Sequence, residues 1–185
     1  MKETMSVPKI FLPDSYDKEE QFLTDMSKKG WHFSHIAGLF FYVFVRGEQT
    51  AYSYKLDFQS EAKISDRQGY LAMYADCGWE HIFRFGFARG KWEYFRKESQ
   101  RDGSDELFTD NESLIELLSR IRRFYLFLGI VLIGANAGSA MNMIRHTASD
   151  GFGVTYIAVL YLLLIALYAK IFVSISVKIG KLKRR

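Results

Sequence analysis

Four histidines and one cysteine are the residues of this chain most able to bind a metal or attack a substrate. Their spacing favours neither. His32 and His35 are three apart in a stretch that reads as a strand, so they point to opposite faces and should not share a metal. His81 has only Glu80 beside it, again on the opposite face, and His146 stands in a loop between two apolar runs. None of these matches a known ligand spacing. Cys77 falls at the C-terminal end of a predicted helix, where the helix dipole does not favour a thiolate. The chain carries no phosphate-binding glycine loop, no Gly-x-Ser-x-Gly and no zinc-protease histidine pair. The expectation is a protein without catalytic residues, metal or cofactor.

Aromatic residues form the second candidate set. They make up 16% of the chain and are spread through its polar part as well as its apolar runs. Trp31 and Trp79 occupy matching places in two similar segments. One reading makes each an anchor between helix and sheet. The other makes Trp31, Tyr42, Trp79, Trp92 and Tyr94 the lining of a cleft between the segments, with Arg46 and Arg96 as polar ends. Such a cleft suits a flat aromatic or cationic small ligand.

The segments that would position these residues can be read from pattern. Lys9–Leu12 reads as a short strand after Pro8, and Asp14 or Ser15 as the cap of a helix over about 15–29. Phe22, Leu23 and Met26 mark its apolar face, and Gly30 sits where a left-handed residue ends a helix. Trp31–Ala37 and Phe40–Arg46 follow as strands around Gly38, and Ala51–Phe58 as another. The pattern then repeats. Ser65 and Gln68 form a capping box for a helix over 66–77 with Tyr70, Leu71 and Tyr74 on its face. Gly78-Trp79 ends it, and His81–Phe87 and Lys91–Arg96 are strands around Ala88-Arg89-Gly90. Gly30-Trp31 matches Gly78-Trp79 at a shift of 48, and Tyr42, Phe44 and Arg46 match Trp92, Tyr94 and Arg96 at a shift of 50. The prediction is an α+β domain over 1–98: a duplicated strand–helix–strand–strand unit on one antiparallel sheet, with both helices on one face. The topology is similar to that of GyrI-like ligand-binding domains.

The runs FLTDMSKKGWHF, YSYKLDF, CGWEHI and WEYFRK resemble the bacterial domain of unknown function 2812 family over about residues 9–98. The resemblance implies a membrane-associated protein, often encoded beside PadR-type regulators. It supplies no catalytic residues.

Residues 99–123 read as a polar linker, then an amphipathic helix capped by Thr109 and Glu112 that runs on without Pro or Gly. Over 124–185, Phe124–Ile144 is free of charge, as is Val154–Ala169, with IFVSISV beyond Lys170. About 20 apolar residues cross a bilayer core, so the pair reads as a transmembrane hairpin joined by Arg145–Gly153. Arg120, Arg122 and Arg123 before it, and Lys178 to Arg185 after it, place both termini in the cytoplasm. Lys170 reads as a snorkelling lysine. Gly134, Gly138 and Asn142 share one helix face and suit close packing, first against the second span and alternatively in a homodimer.

Composition narrows the partners. The net charge of +4 is modest and much of it flanks the spans, so nucleic acid is not expected. A single cysteine suits the cytoplasm, and the N-terminus has no apolar signal region. The expected function is non-enzymatic: a cell-membrane protein whose cytoplasmic domain binds a ligand or a soluble regulator. The alternative is an accessory subunit of a membrane transport or export complex.

Overall fold

Both short helices stop at a glycine. Gly30 and Gly78 take φ of +78° and +81°, a left-handed turn that other residues adopt only with strain. The computed structural model describes residues 3–60, 66–87, 90–99, 111–146 and 151–184. The linker over 100–110, the loop over 147–150, the turn residues Ala88 and Arg89, and the cap residues Ser65 and Thr109 lie outside these. The chain divides into two compact units, Met1–Leu117 and Leu118–Arg185.

The first unit runs β1 (Thr4–Pro8), a 3-10 turn (Pro13–Ser15), α1 (Tyr16–Lys28), β2 (Trp31–Ala37), β3 (Phe41–Arg46), β4 (Tyr52–Ser60), α2 (Arg67–Asp76), β5 (Glu80–Phe87) and β6 (Gly90–Glu98). It is α+β, with two three-stranded antiparallel sheets ordered β1-β3-β2 and β4-β6-β5. The first strand thus ends at Pro8 instead of following it. Pro8 closes an edge strand because it has no N–H to continue one. Lys9–Leu12 is irregular, and Phe11 packs its ring against Phe22 and Tyr42. Asp66 caps α2, accepting from Gly69 N–H at 2.9 Å.

The expectation of one sheet is corrected to two. β2 and β5 are the strands that would have to join, and each carries a bulge, between Phe33 and His35 and between His81 and Phe83. A bulge bends its strand and disrupts edge pairing. The other exposed edge is closed differently. Backbone N–H groups of Tyr52, Tyr54 and Leu56 on β4 donate to Ser27 Oγ (3.1 Å), Thr24 Oγ1 (3.2 Å) and Glu20 Oε1 (2.9 Å) of α1. Alternate amides of a strand meet one polar stripe of a helix, so the edge is satisfied without another strand.

The duplication is present, and its register differs by one residue from the sequence match. Phe33 pairs Phe44 and His81 pairs Phe95; Ile36 pairs Tyr42 and Arg84 pairs Glu93. On the other flank Val7 pairs Tyr42 and Asp57 pairs Glu93. The last strands therefore match at 51 (Phe44 to Phe95), while the helices and the strands after them keep 48 (Phe33 to His81). Tyr42 corresponds to Glu93, not Trp92. A slip of one residue exchanges the faces of a strand, which also corrects the placement of the helices. Tyr94 bonds to α1 through Glu19, whereas Phe95 stacks on Tyr74 of α2. Neighbouring residues of a strand point oppositely, so α1 and α2 lie on opposite faces of the second sheet.

The main core lies between α1 and the inner faces of both sheets. Leu23, Phe33, Phe44, Tyr54, Leu56 and Phe58 are fully buried there, each contributing about 1.5–3 kcal/mol by burial.

The second unit continues α3 (Asn111–His146) and adds α4 (Gly151–Leu182). Arg122 meets Ser176 and Phe172, and Gly129 lies against Tyr168, so the helices pack antiparallel. A Cβ at Gly129 would fall 2.8 Å from the Tyr168 ring, whereas one at Gly134 or Gly138 would meet nothing within 4 Å. This corrects the expectation that Gly134, Gly138 and Asn142 pack against the second span: all three are exposed, and the close approach is one turn and more nearer the N-terminus. Among the described residues one helix, Ala158–Leu182, is long and apolar enough to cross a membrane, with a mean hydropathy of 2.3.

Candidate functional site

Where β2 and β5 face each other, the first unit holds an open cleft of about 590 Å³. Ser34 and Ile82, the residues skipped in the two bulges, both line it. Its polar groups come from His32 on β2, Arg46 on β3, Glu48 and Thr50 in the following loop, Glu80 and His81 on β5, and Arg96 on β6.

Several of these are held in place. His32 Nε2 donates to the Glu48 carbonyl (2.8 Å), and its Nδ1 lies 3.0 Å from Ser27 Oγ. The pinned ring leaves no room beside it: a Cβ at Gly47 would lie 2.5 Å from His32 Cδ2. Arg46 lies over the Trp31 ring at 5.0 Å and donates to the Lys29 carbonyl at 3.0 Å. Among the described residues it has no carboxylate partner. Arg96 is different: its Nε donates to Glu80 Oε2 at 2.7 Å and its guanidinium covers Tyr52 at 4.8 Å. One arginine is neutralised, and the other is oriented with its charge unmatched.

His81 connects the cleft to a second arrangement, under α2. Its Nε2 lies 2.7 Å from Glu93 Oε2. Glu93 is fully buried, with Arg84 Nε 2.9 Å from its other oxygen, off-line for a hydrogen bond, and Arg67 at 3.6 Å. Opposite it, buried Asp57 accepts from the hydroxyls of Tyr70 and Tyr74, both at 2.9 Å, and from the Gln59 amide. Burial, with Asp57 next, drives the Tyr70 phenol pKa upward, so it remains a donor. In the first repeat the matching places hold Val7, Phe33, Ile36 and Tyr42, an apolar and aromatic set. The second repeat has Asp57, His81, Arg84 and Glu93 instead, and Arg67 stands where α1 has Glu19. The same helix–sheet joint is ionic in one half and aromatic in the other.

A third buried acid lies on α1. Glu19 Oε1 accepts from Tyr42 (2.6 Å) and Tyr94 (2.7 Å), one tyrosine from each sheet. Burial raises its pKa, and the two hydroxyls oppose the rise.

A sequence model described as "Protein of unknown function (DUF2812)" matches residues 15–130, more than half of the 185. The chain belongs to this family. The DUF2812 match begins at the residue before α1, covers the cleft and the ionic cluster, and extends into α3. No curated protein and no solved structure matches the chain.

Within this DUF2812 domain, the seven residues singled out from sequence do not stay together. Arg46 and Arg96 line the cleft. Trp31 is half-buried beneath Arg46 and supports the site from behind. Tyr42, Trp79, Trp92 and Tyr94 are buried. Trp79 packs with Tyr74 and Phe95, and Trp92 lies against Phe58 and Tyr16. These rings are core, so the cleft has a polar lining in place of the aromatic one expected. The sequence reading missed His32, Glu48, Glu80 and His81 in the cleft, and Asp57, Arg84 and Glu93 beneath α2. No signal within one strand marks the second group, because each of these strands carries other polar or charged residues.

Proposed function

We propose that this chain is a membrane-anchored binding protein whose DUF2812 domain takes a small polar molecule bearing an anionic group in the cleft between its repeats. The observation that supports this best is Arg46: a guanidinium at a cleft, held by a ring face and a backbone carbonyl, with no acid paired to it among the described residues. Oriented arginine is well suited to a carboxylate or phosphate. Arg96 in the cleft is already paired with Glu80, so Arg46 is the arginine left to meet such an anion, in place of the aromatic cation suggested by sequence. The binding serves a regulatory or sensory role. The reading is not enzymatic. Ser34 Oγ lies 3.2 Å from His35 Nδ1, but that pair is exposed and no carboxylate orients the imidazole among the contacts of the described residues. Anchoring rests on α4 as one span and Phe124–Ile144 of α3 as a second, with the basic flanks setting both termini inside.

The test is native mass spectrometry of the protein released from its own membranes in mild detergent. A bound small anion is expected on the wild type and absent from Arg46→Ala. A bare wild-type mass, with no gain from added carboxylates or phosphates, contradicts the reading. The exposed Gly134, Gly138 and Asn142 favour a second role, lateral association as a subunit of a membrane complex; the same spectra show any protein partner.

A further inference from the structure

One end of the first unit is apolar and exposed. The β2–β3 hairpin turns through Gly38-Leu39-Phe40, with Ala37 paired to Phe41. Gly38 takes φ of +64°, the left-handed conformation that so tight a turn requires. Leu39 at the tip is 81% exposed. The rings of Phe40 and Phe41 lie 4.5 Å apart, tilted by 35°, and both are exposed. The chain after β1 runs alongside: Lys9 N–H donates to the Phe40 carbonyl, Pro8 pairs with Phe41, and Ile10 is 77% exposed. Segments 8–12 and 37–41 together hold no acid and one lysine, Lys9.

We propose that this tip inserts into the interfacial layer of the lipid bilayer. Four large apolar side chains on a convex point, not in a groove, suit a deformable lipid surface. A protein partner would need a cavity to receive them. Lys9 and the lack of acid complement anionic headgroups. The inference rests on the anchoring reading above: a chain held at the bilayer by α4 keeps the tip at a high local concentration of lipid, so a small apolar area suffices. The hairpin is then a second, reversible attachment of the domain.

The experiment uses the full chain in nanodiscs, with Cys77→Ser and an environment-sensitive fluorophore on Leu39→Cys. Gln49→Cys, exposed in the loop after β3, is the control. Doxyl-labelled lipid of shallow depth is expected to quench the Leu39 label severalfold more than the control. Anionic lipid should increase the difference, and Lys9→Glu should abolish that increase. Equal quenching at both sites, with water-like emission, overturns the proposal. A blue-shifted but unquenched label also overturns it and points to a second copy or another protein on the tip. Failure of the anchoring reading is separate: the chain would then elute apart from the nanodiscs and leave membranes on alkaline extraction.

Discussion

Asp57 and Glu93 are opposed on adjacent strands, both buried, and neither is matched by a counterpart in the first repeat. Two like charges across a ladder repel. They are tolerated because their partners differ. Glu93 has Arg84, Arg67 and His81, and Asp57 has two tyrosine hydroxyls and an amide.

The cluster therefore predicts a non-additive mutational pattern. Glu93→Leu alone leaves the part-buried Arg84 without this acid and should cost about 1–3 kcal/mol. Adding Arg84→Leu should recover much of the loss. Chemical denaturation followed by Trp79 emission checks this, since Trp79 packs against Tyr74 and Phe95 at the same joint. Equal loss in the single and double variants would refute it.

Glu20 makes stability depend on pH. Burial pushes its pKa from 4.5 up to about 7, although Lys55 and the Leu56 N–H oppose the shift. Between these values the folded chain holds a proton that the unfolded chain has released. The stabilisation is complete below about pH 4.5 and is lost as pH rises through 7. Its size is on the order of 3 kcal/mol. Melting across this range should show the decline in wild type and a flatter profile in Glu20→Gln, which can still accept from Leu56.

Glu19 ties the two sheets together through two tyrosines. Tyr42→Phe and Tyr94→Phe should each cost about 1–3 kcal/mol, because each leaves a buried carboxylate with one donor fewer. Glu19→Gln should make the second of these losses smaller. A double-mutant cycle by denaturation gives the coupling, and additive values would show that the three groups act separately.

The helix pair of the second unit predicts a contrast between glycines. Gly129→Leu should separate α3 from α4, because the Tyr168 ring already occupies that space. Gly134→Leu should leave the pair intact. Cross-linking between cysteines at Arg122 and Ser176, with Cys77 replaced, reports both; loss in the Gly134 variant would contradict the packing.

Much of this fold is legible from local chemistry. Gly30 and Gly78 mark helix ends because few residues turn left-handed, and the duplicated Gly-Trp marks the repeat. The last strand is less legible. In β6 Trp92, Glu93, Tyr94 and Phe95 are all buried. With both faces covered, the two-residue period that fixes a frame disappears. Tyr42-x-Phe44-x-Arg46 and Trp92-x-Tyr94-x-Arg96 then match by residue type at the wrong shift. The ionic cluster is hidden for a related reason. Asp57, His81 and Glu93 come from three strands, and each alone reads as the solvent face of an alternating pattern. Only the ladder register brings them together.

The central claim is that the cleft binds an anion through Arg46. Trp31 emission tests it most directly, since Trp31 lies under that guanidinium while Trp79 and Trp92 are buried. The full-length protein in nanodiscs is titrated with acetate, succinate, glutamate and inorganic phosphate. The account predicts a saturable change with at least one of them, absent from Trp31→Phe and from Arg46→Ala. An unchanged emission with every anion, or the same change in Arg46→Ala, would contradict it.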